Sequence, residues 1–209
     1  MKREDLQNVV PGFDDPVTGS QAVFRHALQA LSMPGRAVDV PTLAQLPERG
    51  HGAAALMLLA LLDSDCTLWL SASLRDSGAQ AWLRFHTGCR CVEDPAQARF
   101  LWLATGDEWP ALADLNAGSD DYPDQSATCV MEVSSFVKND GLPAWTISGP
   151  GIEGALALAA NGLPQDFETH WQANHASFPR GVDVLLCTAT QLMGLPRSTR
   201  LRRNDTVEA

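Results

Sequence analysis

Lysine is almost missing from this 209-residue chain: only Lys2 and Lys138 occur. Lys2 stands in the N-terminal arm and Lys138 in a polar turn, so neither is a convincing Schiff-base lysine for a pyridoxal phosphate enzyme. The chain also lacks a G-x-S-x-G elbow, an H-E-x-x-H pair and a Walker lysine motif. Esterase-like, zincin and P-loop chemistry are therefore left without their residues. No apolar run is long enough to cross a bilayer. The longest, Ala53 to Leu62, has ten residues and reads as a buried helix. Met1-Lys2-Arg3-Glu4-Asp5 turns acidic at once with no apolar segment behind it, so secretion is not expected and the chain reads as cytoplasmic. Five cysteines (Cys66, Cys89, Cys91, Cys129, Cys187) make an odd count in mainly apolar segments, the pattern of reduced core residues, not of a disulfide framework.

What is present is an acidic chain with 45% hydrophobic residues, enough for one domain over 1–209 with a full core. The net charge of −10 argues against nucleic acid or an anionic membrane as main partner. Arg197, Arg200, Arg202 and Arg203 fall in one stretch without an acid, and removing them leaves 11 basic residues against 25 acidic ones. This basic tail, 197–209, is a candidate partner contact; a solvated terminus is the plainer reading.

Pro11-Gly12 and Asp14-Asp15-Pro16 mark an extended arm over 1–19. Ser20 is the expected N-cap of a first helix to Leu31, with Phe24, Ala27, Leu28 and Leu31 as its apolar stripe. Strands are expected over 36–40, 66–70, 99–104, 127–133, 144–148 and 182–187. Helices are expected over 53–62, 79–86, 109–115 and 155–160, and again up to about His175. The adjacent strands 127–133 and 144–148 should form an antiparallel pair across the Lys138–Gly141 turn. The fold class is then α/β: a mixed sheet with helices on both faces.

Three constellations have chemical potential. Gly149, Gly151 and Gly154 match G-x-G-x-x-G between an apolar strand and an expected helix, the layout that cradles a pyrophosphate. The second parallel strand ending in an acid, which a dinucleotide site needs, does not follow. A tight turn requiring close backbone approach remains, or an anion cradle at Gly149, Gly151 and Ile152. Arg180 and Asp183 flank the mouth of the 182–187 strand and could pair there. Alternatively, Arg180 binds a phosphate or phosphonate by bidentate hydrogen bonds. His86, Cys89 and Cys91 form H-x-x-C-x-C, but no second cysteine pair supplies four zinc ligands, and no metal is expected.

Eight segments together resemble a known family. They are Gly12-Phe13-Asp14-Asp15-Pro16-Val17, Ser20-Gln21-Ala22-Val23-Phe24-Arg25, Met33-Pro34-Gly35 and Leu83-Arg84-Phe85-His86-Thr87. Tyr122-Pro123-Asp124-Gln125-Ser126-Ala127-Thr128, Gly149-Pro150-Gly151-Ile152, Phe178-Pro179-Arg180-Gly181-Val182-Asp183 and Leu195-Pro196-Arg197-Ser198-Thr199 complete the set. In order, from about residue 10 to residue 201, they resemble PhnH, the H subunit of the bacterial carbon–phosphorus lyase system. The resemblance implies a three-layer α/β sandwich related to pyridoxal-phosphate-dependent transferases, without the cofactor lysine or any cofactor. It also implies a cytoplasmic subunit that forms a homodimer when isolated. In the core complex it would bind the I subunit most directly, alongside the G and J subunits. With the L subunit, the I subunit displaces adenine from ATP to give a ribose 1-phosphonate 5-triphosphate, and the J subunit later cleaves the carbon–phosphorus bond. No catalytic residue is assigned to the H subunit, so none is carried over; the H-x-x-C-x-C cysteines and the stretch beyond Arg200 lie outside the family pattern. The expected function is a non-catalytic assembly subunit. A stand-alone nucleotide- or phosphonate-binding enzyme or sensor using the Gly149–Gly154 turn is the alternative.

Overall fold

The computed structural model describes residues 9–137 and 145–203. Its elements run α1 (Pro16–Ser32), β1 (Val38–Asp39), α2 (Gly52–Leu61), β2 (Thr67–Leu70), α3 (Ala72–Arg75), α4 (Ala79–Thr87) and β3 (Arg90–Cys91). Then follow β4 (Phe100–Leu103), β5 (Thr128–Glu132), β6 (Trp145–Ser148), β7 (Leu156–Leu158), α5 (Phe167–Ala176), β8 (Asp183–Cys187), β9 (Gln191–Leu195) and β10 (Arg200–Arg203).

Seven strands form one mixed sheet in the order β1-β9-β8-β5-β4-β2-β3. Pairing is parallel from β3 through β2, β4 and β5 to β8, and antiparallel at β8–β9 and β9–β1. Side chains alternate between two cores with the period of two that strands impose. Leu68, Leu70, Trp102, Val130, Leu185 and Cys187 join the helices α1, α2 and α4. Trp69, Leu101, Leu103, Cys129, Met131, Val184 and Leu186 face the other way, toward α5 and a second sheet of order β10-β6-β7. The architecture is therefore three-layered, with one outer layer of helices and the other shared by α5 and a small sheet. Helix α2 explains why its sequence is apolar all round: Ala53 through Leu59 are all buried between the central sheet and its helical neighbours.

Several expectations fail for physical reasons. Helix α1 starts inside the expected arm, at Pro16. Asp15 is its N-cap, accepting from the Val17 and Thr18 N–H groups at 3.0 and 3.3 Å, and proline suits the first helical turn. Ser20 lies well within the helix. The inward face of α1 is Gly19, Val23, Ala27 and Ala30, while Phe24 and Leu28 are 44% and 50% exposed. Small residues face inward because Gly194 of β9 lies directly under the helix. A Cβ there would come within 2.6 Å of the Ala30 carbonyl carbon and 2.8 Å of Leu31 Cα.

The segment 155–160 holds strand β7 (Leu156–Leu158), not a helix, paired antiparallel with β6. Strands β5 and β6 do not pair: β5 lies between β4 and β8, and β6 belongs to the small sheet. Only Leu112–Asp114 of the expected 109–115 helix is helical, as a single 3₁₀ turn. Beyond the 182–187 strand the chain does not run straight into a tail. It turns at Thr188 into β9, then enters β10, whose Leu201 is 3% exposed. Lys2, Lys138 and residues 204–209 of the tail lie outside the described residues.

Candidate functional site

The family-like segments meet each other. At the N-terminal end, Val10 O accepts from both Trp82 Nε1 at 3.1 Å and His86 Nε2 at 3.0 Å, and a Cβ on Gly12 would touch the His86 ring. His86 is thus an anchor for the incoming chain. Among the described residues no group of three or more His, Cys, Asp or Glu could hold a metal ion. Cys89 and Cys91 hydrogen-bond to each other instead. That bond pulls the Cys89 thiol down to about 7 and pushes Cys91 up.

A second junction centres on Arg197. Its Nε and Nη2 grip Asp183 at 3.1 and 2.6 Å, Nη1 donates to Pro123 O at 2.7 Å, and Nη2 also reaches Ser126 Oγ. The Arg197 backbone is used too: its N–H donates to Asp183 Oδ1, and its carbonyl accepts from His175 Nδ1. With 12% of the side chain exposed, Arg197 is internal. It ties the mouth of β8 to the loop before β5. The Arg180–Asp183 pair does not form; Arg180 lies 3.2 Å from Asp120 with about half its side chain in solvent.

The glycine turn closes a β6–β7 hairpin, so no helix N-terminus stands behind it, and the Ile152 N–H is already donated to Gly149 O at 3.1 Å. The anion cradle at Gly149, Gly151 and Ile152 thereby loses both its dipole and one of its donors. Close approach is what the turn requires. Gly151, at φ +80, faces the Ser32 carbonyl and has Pro34 Cδ 2.8 Å from where a Cβ would sit. Gly149, at φ +137, lies against Ser198 O. The segments 33–35, 149–152 and 195–199 therefore share one contact region.

The chemically most unusual place was not singled out in the sequence. Glu132 ends β5 with 4% of its side chain exposed. Its Oε1 accepts from the His51 N–H at 2.6 Å and from Trp102 Nε1 at 2.9 Å. His51 is the N-cap residue of α2, so the carboxylate also lies at the positive end of that helix. His51 Nδ1 lies 3.1 Å from Cys187 O and must carry the proton, because a carbonyl can only accept. Nearby, Ser71 at the end of β2 is fully buried, and its Oγ accepts from the Ala104 N–H. Asp107 accepts from Ser73 N and Oγ at 2.9 and 2.8 Å. Burial alone would raise its pKa, but hydrogen bonds from Ser71 and Ser73 and the nearby Arg49 hold it below the ordinary value. These groups gather outside the carboxyl ends of β2, β4 and β5. The chain leaves β2 for β3 on one side and returns to β4 on the other, the kind of divide at which open α/β sheets bind ligands. The one sequence signal for this place was a lone acid closing the apolar run Thr128-Cys129-Val130-Met131-Glu132.

A family model described as bacterial phosphonate metabolism protein (PhnH) matches residues 11–202. The chain belongs to the PhnH family. It is 36% identical over 191 residues to the α-D-ribose 1-methylphosphonate 5-triphosphate synthase subunit PhnH of Rhizobium meliloti (strain 1021), covering 91% of this chain and 94% of that relative. It is 32% identical over 181 residues to the putative C-P lyase subunit protein HtxG of Stutzerimonas stutzeri, covering 87% of this chain and 85% of that one. The family-like segments of this PhnH-family chain coincide with its packing junctions: 12–17 on 83–87, 122–128 and 178–183 on Arg197, and 33–35 on 149–152.

Proposed function

We propose that this chain is a non-catalytic assembly subunit of a carbon–phosphorus lyase core complex, needed for organic phosphonate breakdown. It works in the cytoplasm and carries no cofactor, while the ribose 1-phosphonate 5-triphosphate chemistry belongs to the complex. The observation that carries this reading is the family match across 11–202, in which the shared segments do structural work. Its partners are the I subunit most directly, with G and J alongside. The distant kinship to pyridoxal-phosphate-dependent transferases fits the run of parallel strands and the scarcity of lysine.

Two surfaces support an assembly role. Val17, Phe24 and Leu28 follow one another at helical spacing on the outer side of α1 and are 78%, 44% and 50% exposed, an apolar stripe suited to self-association. Arg200 and Arg202 point from the same side of β10, opposite buried Leu201, on an otherwise acidic chain. Arg203 is tied back through its N–H to Glu168. Deleting 197–209 would remove β10 and the Arg197 junction, so charge reversal is the cleaner probe. The double variant Arg200→Glu/Arg202→Glu should keep its fold and bind the other subunits at least about tenfold more weakly, or 1.4 kcal/mol. Unchanged affinity in a titration against the assembled G, I and J subunits would exclude this strand as the contact.

A further inference from the structure

We infer that Cys89 and Cys91 form a dithiol site for hydroperoxides, which oxidise the pair reversibly to a disulfide at the outermost strand of the central sheet. Placement brings the two thiols together. They are alternate residues along β3, so their side chains leave the backbone on one side. Both pack into the core that α1, α2 and α4 share with the central sheet, Cys89 with 3% exposed and Cys91 half-buried at its rim. Cys66 is the nearest rival, since its carbonyl accepts from the Arg90 N–H on the neighbouring strand. Its thiol turns to Asp63 instead of a sulfur, and burial pushes it up. Two strand steps of about 3.3 Å put the Cys89 and Cys91 Cα atoms about 6.6 Å apart, at the long end of what a disulfide spans. Strand β3 can shorten to meet that demand. It is two residues long, and among the described residues it pairs with β2 alone and has no strand on its outer side. The Cys89 N–H donates to Thr87 Oγ1 and not to β2, so this end moves without losing a ladder bond.

The same neighbourhood makes the pair reactive. A thiolate, not a thiol, attacks a peroxide. The hydrogen bond from Cys91 is the chief reason that Cys89 ionises at about 7, with Thr87 and Arg84 adding to it. A proton shared by two neighbouring sulfurs can sit on either, so Cys91, the one that solvent reaches, also carries the thiolate. Burial pushes Cys129 up to about 12 and Cys187 higher still, which leaves both inert. In the first step the Cys91 thiolate attacks the terminal oxygen of the hydroperoxide. An S–O bond forms, the O–O bond breaks, and the leaving alkoxide takes up a proton. Cys89 then attacks the sulfenic sulfur: the S–S bond forms, the S–O bond breaks, and water leaves with the Cys89 proton. Two thiols are oxidised to one disulfide, and the hydroperoxide is reduced to an alcohol and water. A bridge at the long end of its range is readily reduced again, which suits a sensing pair and not a structural bond.

Arg90 stands between the two cysteines, so trypsin parts them into peptides 85–90 and 91–99, which only a disulfide can hold together. The test is mass spectrometry of the reduced full chain after mild treatment with hydrogen peroxide at neutral pH. The chain should lose the mass of two hydrogens, remain a single chain, and yield these two peptides joined. Dithiothreitol should separate them completely. Scored by alkylation of the remaining thiols, the pair should react at least about tenfold faster than Cys66, Cys129 and Cys187. Cys91→Ala should slow the oxidation of Cys89 by a similar factor, and the comparison with the three core cysteines stands on the unaltered chain should that variant not fold. Intact thiols at Cys89 and Cys91, a bridge from 85–90 to the Cys66 peptide 50–75, a bridge between two chains, or equal rates at the core cysteines would each overturn the assignment.

Discussion

Replacing Arg197 by Ala should destabilise the protein by about 3 kcal/mol, because it strands several groups at once. The Asp183 carboxylate keeps only its backbone donor, and Pro123 O and Ser126 Oγ lose the guanidinium. For a domain of this size that corresponds to a melting temperature lowered by roughly 6–12 °C. Arg197→Lys should recover only a minor part, since one ammonium cannot reproduce a fork that reaches two oxygens of Asp183 and two further acceptors. Arg180→Ala is the natural contrast. Arg180 and its partner Asp120 are 49% and 84% exposed, and such a pair contributes under about 1 kcal/mol. Equal losses from the two alanine variants in a thermal melt would show that Arg197 does not hold the junction.

Gly194→Ala should cost as much through backbone crowding alone. The added methyl would overlap the Ala30 carbonyl and sit 2.8 Å from Leu31 Cα, and neither is the flexible end of a side chain. Helix α1 must therefore lift from β9, opening the contact between Ala27, Ala30 and the central sheet. Overpacking typically costs 1–3 kcal/mol, and a helix backbone on one side puts this site at about 3. The loss should be accompanied by faster amide exchange along α1. A melting temperature within about 1 °C of the unaltered chain would refute the close packing of α1 on β9.

The parts of the fold legible in the sequence are those with one dominant pattern. The strands β2, β4, β5 and β8 are short apolar runs bounded by turn residues, and α2 is apolar all round because both its sides are covered. Asp15-Pro16 carries the start signal of α1, an N-cap acid followed by proline, and Ser20 falls one turn inside it. Its inward face departs from the apolar stripe because close approach outweighs bulk: Gly194 admits only small residues, and Phe24 and Leu28 are left outside. Ala155 to Ala160 has helix-forming residues, yet Leu156 and Leu158 also fit a strand, and pairing with β6 decides between them. Sequence neighbours β5 and β6 part company because the parallel order inserts β5 between β4 and β8. The family-like segments pointed to the Arg197 and Gly151 junctions without revealing that they are contacts. Glu132 and His51 stand 81 residues apart and carry no shared motif, so only the fold brings them together.

The most direct measurement of the assembly role is co-purification. The tagged chain, expressed with the G, I and J subunits, should elute with them as one complex of fixed stoichiometry that survives size-exclusion chromatography. Elution of the chain alone, while the other three assemble without it, would contradict the account.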